Sequence, residues 1–439
     1  EITPLVQGLG HASYILKHEA YQPLREIPWN DWAFCPLHEP TYQVLFDLYR
    51  DAIEATPGSR YLHIGGDEIG NIGVCERCRP FVAKYGMGQL NAYWLKRVCA
   101  FAETQNRIPV FWDDMPLQEA GLYESTWNEN ISAAQADSLW QDRSAILDSL
   151  LPSFPRNGVF MRWNYSSATQ PGNLRCLNWY QEKQLPVMIA TAVNAEGGML
   201  FQPDIRNQGM ASAGNSCIKS FIELAADRHI NAVLCTAWDD KSPHMENYWP
   251  GFIAAAEYAW RPKVKTLEAL DIAWADKEFG IAIPQWPSLQ QKLRAGSTLW
   301  YEALFEKGNW FDDDNMLQSL KQVEHWLKPV EGREKTVFDY GRKIISLPDK
   351  QKPGAWSEKY REKLEKSAAF MKAYDSLMAA LSTLEQQSTS NKYYWRLQAA
   401  ICRFQAATPA LLLQLAAIDQ GKTNTGKALK QAMQEIEDA

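Results

Sequence analysis

Short apolar runs alternate with amphipathic stretches over roughly the first 260 residues, and this alternation restricts the possible folds more than any other feature. The runs are centred on Leu5, Leu62, Val110, Phe160, Met188 and Leu234. Each is short and bounded by turn-forming residues, as expected for a buried strand. Strands that alternate with helices are usually parallel and joined by crossover helices. The pattern therefore predicts an α/β fold with a parallel sheet.

The second run ends in the most informative local motif, Tyr61-Leu62-His63-Ile64-Gly65-Gly66-Asp67-Glu68. The two glycines permit a turn that brings both neighbouring acids into one pocket. If Glu68 occupies the drier part, it stays protonated near neutral pH and can donate a proton, while Asp67 stays anionic and stabilises a developing cation. Acetal hydrolysis needs this division of roles. The alternative is that the two acids cap the following helix.

The stretch from His63 to Glu68 resembles the signature of glycoside hydrolase family 20, the β-N-acetylhexosaminidases. Residues 4–11 resemble the preceding strand and loop of the hexosaminidase D branch, and residues 110–115 and 236–240 resemble later strand ends. The resemblance covers roughly residues 3–262. It implies an exo-acting, retaining enzyme that releases terminal β-linked N-acetylglucosamine or N-acetylgalactosamine from a glycan or glycoconjugate.

The resemblance also implies a mechanism in which the acetamido oxygen of the substrate attacks the anomeric carbon. Glu68 would be the general acid and base, and Asp67 would hold and polarise the acetamido group as an oxazolinium ion forms. This substrate-assisted route departs from the usual scheme with an enzymatic nucleophile. It requires no cofactor.

Further residues are assigned to substrate binding by the same resemblance. Tyr165 would donate a hydrogen bond to the acetamido oxygen, and Asp240 would bind outer hydroxyls of the terminal sugar. Asp113 would bind the same sugar or orient His63, and His11 and His63 would support the acidic pair. Asp240 is shorter than the glutamate of many relatives, which leaves the preference between the two sugars open.

Three tryptophans, Trp112, Trp163 and Trp238, follow or end predicted strands. Indole faces stack well on the apolar face of a sugar ring. Each tryptophan could instead fill the core, as large aromatic residues commonly do. Their equivalent positions at strand ends favour a sugar-binding role.

Chemistry at strand ends is typical of a (β/α)₈ TIM barrel. Only six strands can be counted, so we expect the first two strand–helix units to be absent from this chain. The predicted domains are an N-terminally incomplete catalytic barrel, residues 1–264, and an all-α C-terminal domain, residues 265–439. The second would cover the barrel or form a homodimer. Its strongest helical pattern consists of Leu364, Phe370, Met371, Tyr374, Leu377, Met378, Leu381 and Leu384.

Composition excludes several partners. The net charge of -7 and pI near 5.7 leave no basic surface for nucleic acid. No apolar run looks long enough to span a membrane. Degradation of external glycans would favour a periplasmic or secreted location, whereas the scattered cysteines also permit the cytoplasm.

Cys75 and Cys78 form a Cys-x-x-Cys motif shortly after the acidic pair. They are candidate metal ligands, but a structural zinc site needs two more, and no second close pair supplies them. Cys35 and His38 could approach this motif in the fold. A local disulfide or plain thiols are the alternatives.

Two other functions compete with the hydrolase. The first is a non-catalytic sugar-binding barrel. The second is a metal-dependent hydrolase that uses His63, Asp67 and Glu68 as ligands. The second would be recognised by metal-binding geometry at those three side chains.

Overall fold

The computed structural model describes residues 2–69, 72–194, 217–238, 245–263, 266–308 and 343–422. The protein divides into two compact units. The first contains residues 1–191, 210–235 and 322–333, and the second contains residues 192–209, 236–321 and 334–439. The domain boundary predicted between residues 264 and 265 stays a prediction.

An antiparallel hairpin precedes the main sheet along the chain. Its strands are β1 (Arg25–Ile27) and β2 (Asn30–Phe34), and the register shifts between Arg25 and Ile27. The strand residues Ile27 and Phe34 are buried, whereas Asn30 is partly exposed. The hairpin therefore presents an apolar side to the core of the first unit.

The main sheet has five strands in the order β3, β4, β5, β6 and β7. These strands are Tyr61–His63, Ile108–Trp112, Val159–Trp163, Val187–Asn194 and Val233–Ala237. The strands β3 to β6 pair in parallel, with His63 opposite Val110 and Trp112 opposite Met161. The parallel α/β fold is confirmed as a curled half-barrel. The described residues do not form a closed barrel of eight strands.

The first predicted strand lies beside β3 as a short parallel bridge. The Val6 amide donates to the His63 carbonyl at 2.9 Å, and the His63 amide donates to the Pro4 carbonyl at 2.9 Å. Each of the six apolar runs therefore contributes to the sheet, as the sequence predicts. Because parallel strands end at the same edge, the residues after β3, β4 and β5 lie at one edge.

Helices connect these strands and cover the sheet. They are α1 (Ser13–Leu16), α2 (Glu39–Ala55), α3 (Cys78–Tyr85), α4 (Met87–Thr104), α5 (Asp114–Glu119), α6 (Ala133–Leu150), α7 (Pro171–Glu182) and α8 (Cys217–Asp227). Local sequence explains several of their beginnings. Ser132 and Gln135 form a capping box at α6, and Pro171 occupies the first position of α7.

The described part of the second unit is mainly helical. Its helices are α9 (Trp249–Trp260), α10 (Leu267–Phe279), α11 (Trp286–Glu302), α12 (Ala355–Lys359), α13 (Arg361–Gln387) and α14 (Lys392–Asp419). The predicted stripe on α13 buries Phe370, Leu377, Leu381 and Leu384. An antiparallel hairpin, β8 (Phe305–Lys307) with β9 (Lys343–Ile344), adds strand structure to a region that was expected to be all helix.

Helix α14 is, by length and composition alone, apolar enough to cross a membrane, which the sequence analysis did not expect. Half of its most apolar window is buried inside the structure. Leu412 and Trp395, for example, are fully covered. Partial burial of this kind is also found in core helices of globular domains, so the finding is weak evidence for a membrane span.

Candidate active site

A glycine turn at the end of β3 positions the acidic pair. Gly65 and Gly66 have φ angles of 71° and 95°, in the region that glycine enters without strain. A side chain at residue 65 would overlap the side-chain oxygen of Gln7. Glu68 itself has φ 52°, which is uncommon for a residue with a side chain. The turn therefore depends on both glycines and bends the chain sharply at the acids.

His11 joins the two carboxylates. Its Nε2 lies 3.2 Å from Oδ2 of Asp67 and 3.4 Å from Oε2 of Glu68. The Trp32 ring packs against the imidazole with the centroids 4.2 Å apart, and the Trp32 indole N–H donates to the Glu68 carbonyl at 3.4 Å. The structure thus brings together three residues that the sequence analysis placed in one site. We call His11, Asp67 and Glu68 the acidic cluster.

The charge of His11 follows from this geometry. Burial alone lowers the pKa of His11, but the hydrogen-bonded carboxylates of Asp67 and Glu68 outweigh that effect and raise it from 6.5 to about 10. The imidazole is therefore positively charged at neutral pH. One positive charge between two carboxylates reduces the repulsion that would otherwise oppose holding adjacent acids close together.

The exposure of the two acids differs from the sequence-based expectation. The Glu68 side chain is 54% exposed, whereas the Asp67 side chain is 12% exposed. The sequence motif predicted Glu68 to be the drier of the two acids. Asp67 belongs to the covered end of the turn, whereas the left-handed backbone at Glu68 accompanies a side chain that is open to solvent.

One oxygen of Asp67 is left without a protein partner. Oδ1 of Asp67 is buried and accepts no hydrogen bond from the described residues, whereas Oδ2 faces His11. A buried carboxylate oxygen without a donor is costly. This oxygen is therefore available to a hydrogen-bond donor on a ligand.

Asp114 is a site residue that the sequence analysis missed. It is fully buried at the start of α5, and its Oδ2 accepts the Glu68 backbone N–H at 2.9 Å and the Gln118 amide at 2.9 Å. Burial, aided by the nearby charge of Asp67, raises the pKa of Asp114 well above its usual value. Asp114 positions the Glu68 backbone. Its place directly after β4 was the available signal, because strand ends meet at this edge.

The His63 side chain stabilises the glycine turn. Its Nδ1 accepts the Gly65 N–H at 3.1 Å, and its ring lies 4.4 Å from that of Trp112. Burial lowers the pKa of His63 from 6.5 to about 3, although Asp67 opposes this shift. The ring is therefore neutral. Trp112 is only 2% exposed, so its predicted stacking on a sugar stays a prediction.

The neutral His63 makes folding sensitive to acid. In the unfolded chain His63 takes up a proton near pH 6.5, whereas in the folded protein it does so only near pH 3. Its contribution to stability is therefore fully present above pH 6.5 and is lost as the pH falls toward 3. From pH 7 to pH 5 we expect a loss of about 2 kcal/mol from this group. Urea unfolding of His63→Asn should show a shallower acid slope. The exposed His18→Asn variant is the control, and an unchanged slope in His63→Asn would contradict the assignment.

Asp113 lies in a buried ion pair. Arg162 Nη1 is 3.1 Å from Oδ1 and 3.4 Å from Oδ2, and the Tyr180 hydroxyl donates to Oδ2 at 2.9 Å. Arg162 Nε also donates to Asn173 at 2.8 Å. Both carboxylate oxygens of Asp113 therefore have protein partners, which indicates a structural role. Its predicted contact with sugar or with His63 stays a prediction.

Three aromatic rings at the end of β5 and in the segment before α6 contact one another. The Trp163 ring lies 5.1 Å from Tyr165 and 5.5 Å from Tyr123, and the buried Trp163 Nε1 has no hydrogen-bond partner among the described residues. Burial, with a contribution from Asp114, raises the pKa of Tyr123 well above its usual value. The sequence analysis predicted Trp163 and Tyr165 but missed Tyr123, which lies outside any strand end.

Two other predicted substrate residues, Trp238 and Asp240, come after the last strand of the main sheet along the chain. Trp238 directly follows β7 and belongs to the second unit. Asp240 lies outside the described residues. Their roles in substrate binding stay predictions.

The metal-dependent alternative finds no support where the structure is described. The described residues contain one group of at least three side chains with metal-ligand spacing, and it consists of Glu26, Cys35, Cys75 and Cys78. His63, Asp67 and Glu68 do not form such a group. The sequence predicted Cys35, Cys75 and Cys78 as possible ligands but gave no signal for Glu26. His38, the other residue predicted to approach this motif, does not belong to the group.

Comparison with known proteins supports the resemblance seen in the sequence. The family model described as glycosyl hydrolase family 20, catalytic domain, matches residues 11–153. Hexosaminidase D of Bos taurus is 30% identical over 122 residues, which are 26% of this chain and 34% of that protein. Hexosaminidase D of Homo sapiens is 29% identical over 119 residues, 26% of this chain and 24% of that protein. The match thus spans about a third or less of each relative.

Solved structures include similar chains. A β-N-acetylhexosaminidase from Bacteroides fragilis NCTC 9343 has a TM-score of 0.40 at 18% identity, covering 60% of this chain and 49% of that chain. A glycoside hydrolase family 20 β-N-acetylglucosaminidase has a TM-score of 0.36 at 14% identity, covering 59% and 51%. Neither likeness bears on the activity of this chain.

Proposed function

We propose that this chain, which matches the family 20 catalytic domain over residues 11–153, is an exo-acting, retaining β-N-acetylhexosaminidase. Its substrate is a glycan or glycoconjugate with a terminal β-linked N-acetylhexosamine. The observation that carries the proposal is the acidic cluster, in which a buried, unpartnered Oδ1 of Asp67 lies next to the exposed carboxyl of Glu68. One acid is prepared to hold a ligand and the other to exchange a proton.

In the first step, the acetamido N–H donates to Oδ1 of Asp67, and the acetamido oxygen attacks the anomeric carbon. The new carbon–oxygen bond forms as the glycosidic bond breaks, and Glu68 transfers its proton to the departing oxygen. Asp67 stabilises the positive charge that develops on the oxazolinium ring. His11 holds Asp67 in place through the contact at 3.2 Å.

In the second step, water attacks the anomeric carbon and Glu68 takes its proton. The oxazolinium ring opens, and the acetamido group and the configuration at the anomeric carbon are restored. Glu68 must be neutral before the first step. A sugar bound over the exposed Glu68 side chain would exclude water from the site of proton transfer.

A sugar-binding protein without turnover is the second candidate. The observation that favours this candidate is the 54% exposure of the Glu68 side chain, because the general acid of a glycosidase usually lies in a drier pocket. If sugar binding does not dry this side chain, the chain would bind N-acetylhexosamine and release no product.

The proposed fold is a (β/α)₈ barrel of which the described strands form part, followed by a helical C-terminal domain. The parallel register of β3 to β6 and the strand-end position of the acidic cluster support this arrangement. The proposed boundary lies between residues 264 and 265.

The test is a side-by-side assay of the complete chain with nitrophenyl N-acetyl-β-glucosaminide and N-acetyl-β-galactosaminide. We expect release of nitrophenol from at least one of them and competitive inhibition by a thiazoline that mimics the cyclised intermediate, because the substrate supplies the nucleophile. Turnover that is indifferent to the thiazoline would contradict the mechanism. Thiazoline binding without turnover would identify the sugar-binding alternative.

A further inference from the structure

We propose that Glu26, Cys35, Cys75 and Cys78, here called the cysteine cluster, form a structural site for Zn²⁺ or a similar thiolate-binding divalent ion. The four side chains each offer one ligand atom, and these atoms all lie within 4.8 Å of one another. The site is separate from the acidic cluster and does not depend on the proposed hydrolase activity.

The sulfur spacing fits tetrahedral coordination. Cys35 Sγ lies 3.5 Å from Cys75 Sγ and 3.5 Å from Cys78 Sγ. Two thiolates on one tetrahedral zinc, each with a Zn–S bond of about 2.3 Å, are roughly 3.8 Å apart. The three sulfur atoms are therefore already close to the separation that a shared ion requires.

Glu26 supplies the fourth ligand and is held in position for it. Its Oε1 accepts the backbone N–H groups of Val74 and Cys75 at 2.7 Å and 2.9 Å. Its Oε2 faces Cys78 Sγ at 3.2 Å. Metal-binding carboxylates are commonly fixed by such outer hydrogen bonds. One oxygen of Glu26 thus orients the carboxylate, and the other is directed toward the sulfurs.

The environment favours a cation. Glu26 is 1% exposed, and no ion pair to it is found in the described part of the chain. A buried carboxylate beside sulfur atoms without a positive partner would be unfavourable. Three cysteines also cannot all pair within one cluster as disulfides. A divalent ion would compensate the carboxylate and use every sulfur.

The backbone matches a closed structural site. Cys78 begins α3, and its backbone N–H points to Cys75 Sγ at 3.4 Å, which stabilises a thiolate within the Cys-x-x-Cys turn. Cys35 and Cys78 are fully buried and Cys75 is partly buried. With four protein ligands and little access for water, the ion would hold the fold together.

The ion would connect the β1–β2 hairpin, which contacts the acidic cluster through Trp32, to the segment that contains Cys75 and Cys78. Glu26 lies in β1 and Cys35 directly follows β2, the strand that carries Trp32 against His11 and Glu68. Cys75 and Cys78 follow the acidic pair along the chain. Binding of the ion would therefore join their segment to the β1–β2 hairpin.

Metal content of the purified protein tests the site. Protein produced with zinc present should contain about one zinc per chain by mass spectrometry, and reconstitution with Co²⁺ should give a sulfur-to-cobalt charge-transfer absorption. Cys78→Ala should lower zinc affinity at least tenfold, as an order-of-magnitude expectation for a lost ligand. Cys99→Ala, which removes a buried thiol outside the cluster, is the matched control.

A second pair of variants tests the fourth ligand. Glu26→Ala should weaken zinc binding, and Glu26→Cys should retain one zinc because four thiolates also form a structural site. A chelator should lower the midpoint of thermal unfolding for the wild type and leave Cys78→Ala unchanged. The proposal would be overturned if the protein contained no zinc after production and reconstitution with zinc. Equal loss of zinc in Cys99→Ala and Cys78→Ala would also overturn it. Neither result depends on turnover.

Discussion

The Glu68→Gln variant should lose about 10³-fold in kcat on nitrophenyl N-acetyl-β-hexosaminides, in the range expected for loss of a general acid and base. Glutamine keeps the size of the side chain but cannot donate or accept the proton. Because Glu68 is exposed and contributes its backbone N–H to Asp114, the substitution should leave the fold and the thiazoline affinity nearly unchanged. Steady-state kinetics and inhibitor titration of the same preparation measure both effects.

The dependence on the leaving group separates a catalytic role from a structural one. Loss of the general acid should be felt less with an aryl group that leaves readily as an anion, because departure then needs less help from a proton. A variant that merely disturbs the site would lose activity equally on every substrate. Glu54→Gln, an exposed substitution on α2, is the control. Near-normal turnover by Glu68→Gln would remove Glu68 from the mechanism.

The Arg162→Met variant should lower the free energy of unfolding by about 3–5 kcal/mol, the usual effect of removing one partner of a buried ion pair. Arg162 and Asp113 have side chains that are 1% and 0% exposed, so neither charge can turn to solvent. Methionine fills much of the space but leaves Asp113 without its cation. Urea unfolding followed by circular dichroism measures the change.

Two comparisons make this result specific. The double variant Arg162→Met with Asp113→Leu should recover much of the loss, because apolar residues can replace a buried ion pair. Arg175→Met breaks an exposed pair, with side chains 47% and 50% exposed, and should cost less than about 1 kcal/mol. A loss in Arg162→Met no larger than in Arg175→Met would contradict the importance of the buried pair.

Residue patterns predicted the strands and helices well where the pattern lies within one short segment of the chain. Apolar runs such as the one at Leu62 become strands because their short, turn-bounded pattern suits a buried parallel sheet. The family resemblance assigned His11 to the support of the acidic pair, and the structure places it in contact with Asp67 and Glu68. Asp114 was missed although it lies just after β4, whereas Tyr123 was missed because it lies outside any strand end.

The cysteine cluster shows the same limit more clearly. Cys75 and Cys78 are close in sequence and were recognised, but Cys35 is 40 residues from Cys75 and Glu26 is 49 residues from it. A buried glutamate in a short strand has no sequence pattern that distinguishes it from an exposed one. Only the tertiary packing of the β1–β2 hairpin brings Glu26 to Cys75 and Cys78.

The parallel α/β arrangement and the place of the acidic pair at a strand end follow from local residue patterns, because the spacing of apolar residues and the glycine turn act over a few neighbouring positions. The tertiary structure alone decided the exposure of Glu68, the charge of His11 and the partners of Asp113. These properties depend on which distant groups exclude water and which charges come within a few ångströms. Such distances are set by the packing of the whole unit.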